Sequence, residues 1–308
     1  MYKKIILFIS IFIFIISAYF IISKINNTKV DYMIDNINIY KDTSSWELAL
    51  AVRDEEVHNI EKIVKDKPEL LNNQEPKYGA TLLLWAVGME KYKSAETLLK
   101  CGADPNIASI IDGETPLFRA AGYSWVDKDN KNDPKYVKLL LSYGADPNKN
   151  YIGNDIEGKK TVIEPGTSPL MNSIGCGIEK TKALVDGGAD IDYKTKRGST
   201  GAIQALLEYD SPEYAYYLII EKKAKVSDPY HRRESYGNED SNEKLFPVDI
   251  LRNWIFKLDS EQYKTKMEIA EKFAQQGVNY SDTKIPNNRL SQIKKLYPDS
   301  WKEYIKKY

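Results

Sequence analysis

Two phrases recur along this chain with drift: GETPLFRAA at Gly113 to Ala121, and LLLSYGADPN at Leu139 to Asn148. The first returns at Gly79 to Ala86, Gly166 to Ser173 and Gly198 to Ala205; the second returns at Leu98 to Asn106 and Leu184 to Asp192. A unit this small cannot bury its apolar face alone and must stack on copies of itself. The repetition therefore restricts the chain to an elongated array and moves the functional question from chemistry to surface recognition.

Each residue type in the phrases has a local reason. Thr81, Thr115, Ser168 and Thr200 stand where a hydroxyl caps a helix N-terminus. Pro116 and Pro169 follow at the first helical position, where no donor is lost. Runs such as Leu139-Leu140-Leu141 supply a second helix, closed by Gly102, Gly144 or Gly188 as residues able to turn left-handed. Asp-Pro-Asn then reads as a turn. Gly79 and Gly113 lie 34 residues apart and Gly166 and Gly198 lie 32 apart, but Gly113 and Gly166 are separated by 53, so about 20 residues are inserted there.

These motifs resemble the ankyrin repeat, whose period is about 33 residues. The resemblance runs from about Ser44 to Asn279, with four recognisable units and two atypical flanking ones, as terminal repeats require. It implies an all-α solenoid of about six helix-turn-helix units with β-hairpin loops. It also implies a protein-binding scaffold that is not an enzyme. The expected organisation is an array over 44–288 and a single closing helix over 289–308, with Leu290, Ile293, Leu296, Trp301, Tyr304 and Ile305 on one side.

Ile5 to Ile22 is an eighteen-residue apolar run interrupted only by Ser10 and Ser17, long enough to span a bilayer. A cleaved secretory signal, with Lys3 and Lys4 as its basic start, is one alternative, and a buried core helix is another. Tyr19, Phe20 and Ile22 stand where a signal peptidase wants small residues, which favours an uncleaved transmembrane anchor. The expectation is a short cytoplasmic N-terminus at 1–4, a spanning helix at 5–22 and a polar tether at 23–43. The bias of positive charge toward Lys3 and Lys4 is slight. It places the repeat array outside the inner membrane, in the periplasm of a bacterium.

Composition narrows the remaining classes. Forty-four basic and 44 acidic side chains leave no net charge, which gives no footing for non-specific nucleic-acid binding. Cys101 and Cys176 fall two units apart, beyond disulfide reach, and read as free thiols. Only His58 and His231 are present, and no Walker loop, nucleophile elbow or zinc motif occurs. The run from Asp127 to Asp133 lacks the Gly and Glu of a calcium loop. No metal, cofactor or small-molecule substrate is expected.

Three insertions remain: Gly122 to Asp133, Lys149 to Pro165 and Asp228 to Lys244. Insertions in solenoids map to loops on one face and often mark the binding side. The last two occupy equivalent places and flank the short hairpin at Asp192 to Arg197. The expected partner contacts are Trp125, Tyr151, Asn154, Asp155, Glu157, Tyr193, Lys194, Arg197, Tyr230, Arg232, Arg233 and Tyr236. Membrane-anchored bacterial ankyrin proteins include immunity proteins that neutralise exported toxins. An envelope adaptor or chaperone-like protein supporting a periplasmic enzyme is the alternative.

Overall fold

Four hydroxyls set the register of the array. Thr81, Thr115, Ser168 and Thr200 accept the main-chain N–H groups of Leu84, Phe118, Met171 and Ile203 at 3.2, 3.1, 3.2 and 3.2 Å. Each hydroxyl satisfies a donor that the first turn would leave orphaned. This regularity is seen in a computed structural model of the chain, which describes residues 33–126, 133–153, 163–232 and 243–308. The expected membrane span at 5–22 lies outside these residues. Among the described residues no helix is long and apolar enough to cross a membrane.

Six helix pairs follow one another: α1 (Trp46–Arg53) with α2 (Val57–Asp66), α3 (Leu82–Gly88) with α4 (Tyr92–Lys100), and α5 (Pro116–Ala121) with α6 (Lys135–Ser142). Then come α7 (Pro169–Asn172) with α8 (Ile178–Asp186), α9 (Gly201–Leu207) with α10 (Glu213–Ala215), and α11 (Pro247–Ile250) with α12 (Glu261–Gln275). α10 runs on as a π turn over Tyr216–Glu221. First helices pack on first helices, α3 on α5 and α5 on α7, while α2 packs on α4 and α6 on α8. All seven residues of α3 are buried, because units press on it from both sides. Each large side chain so buried contributes about 1.5–3 kcal/mol. Among the described residues the connecting loops make only isolated β-bridges, Gln74 with Thr81 and Tyr230 with Leu245.

A ladder of side-chain amides joins unit to unit. Asn106 Oδ1 accepts Asp146 N–H at 2.7 Å while its Nδ2 donates to the Gly144 carbonyl at 2.9 Å. Asn148 repeats this on Asp190 at 2.7 Å and Gly188 at 3.1 Å. Asn72 accepts Asp104 N–H at 2.9 Å. Gly144 and Gly188 stand at φ 84° and 93°, and this left-handed turn presents both peptide groups to the amide above. The fifth pair departs from the pattern. Asp192 can only accept, from Lys225 N–H at 2.8 Å, and Lys223 holds the glycine position at φ 61°. An L-residue there costs about 1–2 kcal/mol.

Both ends of the array differ from expectation. Residues 33–43, expected within a polar tether, pack onto the first units. Tyr40 is fully buried and donates its hydroxyl to the Ala80 carbonyl at 3.1 Å, and Trp85 Nε1 donates to the Asp35 carbonyl at 3.1 Å. The single closing helix is two, α13 (Asn287–Leu296) and α14 (Trp301–Lys307). Pro298 forbids the helical conformation to Tyr297, which turns out to φ −129°, ψ 63° and stacks on Tyr304 at 4.4 Å. Leu296 is left exposed, while Ile293, Tyr304 and Tyr308 form a small separate core.

That core is latched by two buried basic side chains, Arg252 and Lys266. Arg252 donates to the main-chain oxygens of Tyr280, Thr283 and Tyr308 at 3.0, 3.1 and 2.6 Å. Lys266, with no exposed surface, donates to the Trp254 carbonyl at 2.9 Å and sits 3.7 Å over the Tyr308 ring. Burial, reinforced by the Arg252 charge, pushes the Lys266 ammonium down to about 6.

Two outcomes are expected in chemical denaturation. Asn148→Ala removes two inter-unit bonds and destabilises by about 1–3 kcal/mol, whereas Asn148→Asp keeps the acceptor and costs less. Between pH 6 and about 10.5 an unfolded chain holds a proton on Lys266 that the folded chain does not, so the group's contribution to stability rises with pH. The melting temperature is expected to climb more steeply from pH 7 to 9 in the parent than in Lys266→Met. Equal slopes would contradict this.

A fringe of finger loops as the candidate protein-binding surface

Between each second helix and the next first helix the chain makes a finger, and one bond closes every finger at the same place. The N–H groups of Glu75, Ser109, Tyr151, Thr195 and Tyr230 donate to the carbonyls of Ala80, Glu114, Thr167, Ser199 and Leu245 at 2.8–3.1 Å. The next residue reaches across to the preceding finger: Ile110 N–H to the Tyr78 carbonyl, Ile152 to Asp112, and His231 to Arg197, at 2.9, 3.1 and 2.8 Å. Pro76, Ile110, Ile152, Lys196 and His231 are thus equivalent positions in one row.

Alternation along the extended chain decides which side chains face inward. The closing position is buried in every finger: Glu75, Ser109, Tyr151, Thr195 and Tyr230 are 2–7 % exposed. The Glu75 carboxylate accepts the N–H groups of Lys77, Tyr78 and Ala80 at 2.8, 2.7 and 3.1 Å and so fixes its finger. The following position points out, leaving Ile110 64 % and Ile152 69 % exposed beside Ile111 at 48 %. These isoleucines lie lengthwise over glycines. A Cβ on Gly79 would come 2.4 Å from Ile110 and one on Gly113 2.6 Å from Ile152, and both glycines are also left-handed, at φ 69° and 73°.

The residues singled out from sequence divide accordingly. Tyr151 and Tyr230 are not surface anchors. The Tyr151 ring stacks on Phe118 at 5.1 Å, and burial pushes its hydroxyl up to about 12. Tyr230 is buried under the last finger, where it forms the bridge with Leu245. Tyr193, Lys194, Arg197 and Arg232 do fall on the fringe: Lys194 pairs with Asp228, Arg197 faces Glu164 at 3.7 Å, Tyr193 is half-buried against Gly166, and Arg232 is exposed. Asn154, Asp155, Glu157, Arg233 and Tyr236 lie outside the described residues.

Trp125 lies away from the fringe, at the turn joining first and second helices. It covers Gly88, and the Arg119 guanidinium lies 3.8 Å over its ring. Gly88 and Arg119, together with Tyr123, Tyr136 and Lys180, line a cleft of about 70 Å³. Burial pushes the Cys176 thiol up to about 11, away from the thiolate form that reacts. Among the described residues no group of three or more His, Cys, Asp or Glu side chains is placed to hold a metal ion.

Stacked helix pairs joined by finger loops define a helical-repeat solenoid. The ankyrin repeat family model matches residues 78–110 and 112–150, which are the unit of α3 and α4 and the unit of α5 and α6. A putative ankyrin repeat protein of Acanthamoeba polyphaga mimivirus is 32 % identical over 123 residues, 40 % of this chain and 14 % of that protein. Ankyrin repeat domain-containing protein 49 of Drosophila melanogaster is 39 % identical over 66 residues, 21 % of this chain and 27 % of its own length. The matched segments thus span roughly a seventh and a quarter of these relatives. Residues 78–110 and 112–150 are thus similar to ankyrin repeats, and the units at Ser168 and Thr200 keep the same cap register.

Sequence reading passed over Ile110, Ile111, Ile152 and Lys196, although aligning the units on Gly102, Gly144 and Gly188 brings Ile110, Ile152 and Lys196 to one position, eight residues on. The difference between closing and outward positions is testable by denaturation. Tyr151→Ala is expected to destabilise by about 3–5 kcal/mol, and Ile152→Ser to stay within about 0.5 kcal/mol of the parent.

Proposed function

We propose that this chain is a tethered scaffold that captures another protein along the finger fringe. Three exposed isoleucines on two neighbouring fingers carry the reading, because large apolar side chains left in water on a folded chain mark an interaction site. The residues flanking them at the closing positions are buried and rigid, so the fringe is a preformed platform. The apolar run Ile5 to Ile22 supports attachment to a membrane, with the array on its outer side. Tethering would raise the local concentration of the fringe against any partner at that membrane. An exported toxin whose active-site mouth the fringe covers is one such partner, which would make the protein an immunity factor. An envelope enzyme supported by an adaptor is the other.

A photo-cross-linking amino acid placed at Ile152 or Lys196 of the full chain tests the surface. A discrete partner adduct is expected from both positions and none from Lys138, on the exposed face of α6. Adducts from position 138 alone would refute the fringe. In the same cells the protein should sediment with membranes, and a chain lacking residues 5–22 should not.

A further inference from the structure

The end of the chain carries a charge that the rest does not. Residues 284–308 hold seven Lys and Arg against Asp299 and Glu303, whereas 1–283 hold 37 basic and 42 acidic side chains. Ile293, Tyr304 and Tyr308 turn inward to the small core that Arg252 latches. That leaves Lys294, Lys295, Lys302, Lys306 and Lys307 exposed on the outward side of α13 and α14. Among the described residues only Lys306 of these five pairs with a carboxylate, Glu303 at 2.7 Å. At the start of α12, which Tyr263 ties to the Lys307 carbonyl at 2.7 Å, Asp259 and Glu261 are matched by Lys257 and Lys264. Counted from Glu243 to Tyr308 the excess persists, 13 basic side chains to nine acidic. A terminal unit needs a polar outer face, but mixed charge suffices for that. The first unit, 44–67, has six acidic and four basic side chains.

Apolar groups sit among these lysines. Leu296 is 54 % exposed, and Trp301 beside it in the small core is half-buried. The ammonium groups of Lys294, from α13, and Lys302, from α14, lie 4.5 and 5.7 Å from the Trp301 ring, so both helices contribute to one patch. We propose that this C-terminal helix pair docks on an anionic bilayer surface, with its lysines on lipid phosphates and Leu296 and Trp301 at headgroup level. The choice of a bilayer over a soluble polyanion rests on the apolar run Ile5 to Ile22, which in the functional reading above ties the same chain to a membrane. Lysine stems lie along apolar surface while their charges stay among headgroups, and a cluster of them is drawn to anionic lipid. Aromatic and leucine side chains settle at the same depth. Weak docking suffices, because the anchor already holds the cap near the surface at high local concentration. With both ends held, the array lies along the membrane and offers its fringe in one orientation.

The full chain, carrying an environment-sensitive fluorescent amino acid in place of Leu296 and reconstituted in vesicles, tests this. With about 30 % phosphatidylglycerol in the vesicles the emission shifts to the blue, and about 0.5 M KCl reverses the shift. On phosphatidylcholine alone the emission stays unshifted. Lys295→Glu/Lys302→Glu/Lys307→Glu lowers the docked fraction about tenfold and melts like the parent, since all three side chains are exposed. A shift equal on both lipids and indifferent to salt would overturn the charge-directed docking. So would a shift produced by soluble polyglutamate and not by phosphatidylglycerol, or no shift at all. Flotation with phosphatidylcholine vesicles reports the anchor separately. A chain that floats without a phosphatidylglycerol-dependent shift keeps the tether and loses the docked cap; one that shifts without floating on neutral lipid keeps the cap and loses the tether.

Discussion

The middle of the array depends on one side-chain amide used twice at each junction, from the second unit to the third and from the third to the fourth. A short helix pair has two faces to cover and no interior of its own. Stacking supplies the interior, but apolar contact alone does not fix the rise or rotation from one pair to the next. Asn106 and Asn148 do, because an amide that accepts from Asp146 or Asp190 and donates to Gly144 or Gly188 is satisfied at only one offset. The left-handed glycines are the other half of the device, since they aim the peptide groups that the amide reads. Helix caps at Thr81, Thr115, Ser168 and Thr200 then start each new pair from the same height.

With the offset fixed, the fingers come into line and their alternation becomes a property of the whole edge. Every closing position turns inward, whatever its chemistry, and glutamate, serine, threonine and tyrosine all serve there. The next position turns outward in the first four fingers, where Pro76, Ile110, Ile152 and Lys196 are exposed, and His231 is half-buried in the fifth. Selection can vary that row without touching the fold, which is how a repetitive framework comes to hold a surface peculiar to one chain. At those positions this chain carries Pro76, Ile110, Ile152, Lys196 and His231.

Much of this was legible from residue types at fixed offsets. The caps, the left-handed glycines and the six helix pairs follow from local chemistry that needs no knowledge of neighbours. Free Cys101 and Cys176 follow from repeat spacing and are free in the structure. What failed did so for tertiary or register reasons. Tyr151 and Tyr230 sit one residue from exposed positions, and a shift of one residue reverses the side a loop presents. Lys266 and Arg252 gave no signal, because two basic side chains buried against carbonyls and tyrosine rings look like ordinary surface charges in a sequence. The break before Pro298 was available from the chain but was outweighed by an apolar pattern that runs through it.

The fourth and fifth units meet differently from the rest. Asp192 contributes one bond where Asn106 and Asn148 contribute two, and Lys223 holds a conformation that glycine would adopt freely. Beyond that seam Gln276 clasps the fifth unit to the sixth, accepting Val226 N–H at 2.9 Å and donating to the Ala224 carbonyl at 3.3 Å. The junction at Asp192 therefore keeps one such bond where the two before it keep two. Ile110 and Ile152 lie on one side of it and Arg232 on the other, so a partner that gripped both ends of the fringe would add contacts across a step that the side-chain ladder holds with a single bond.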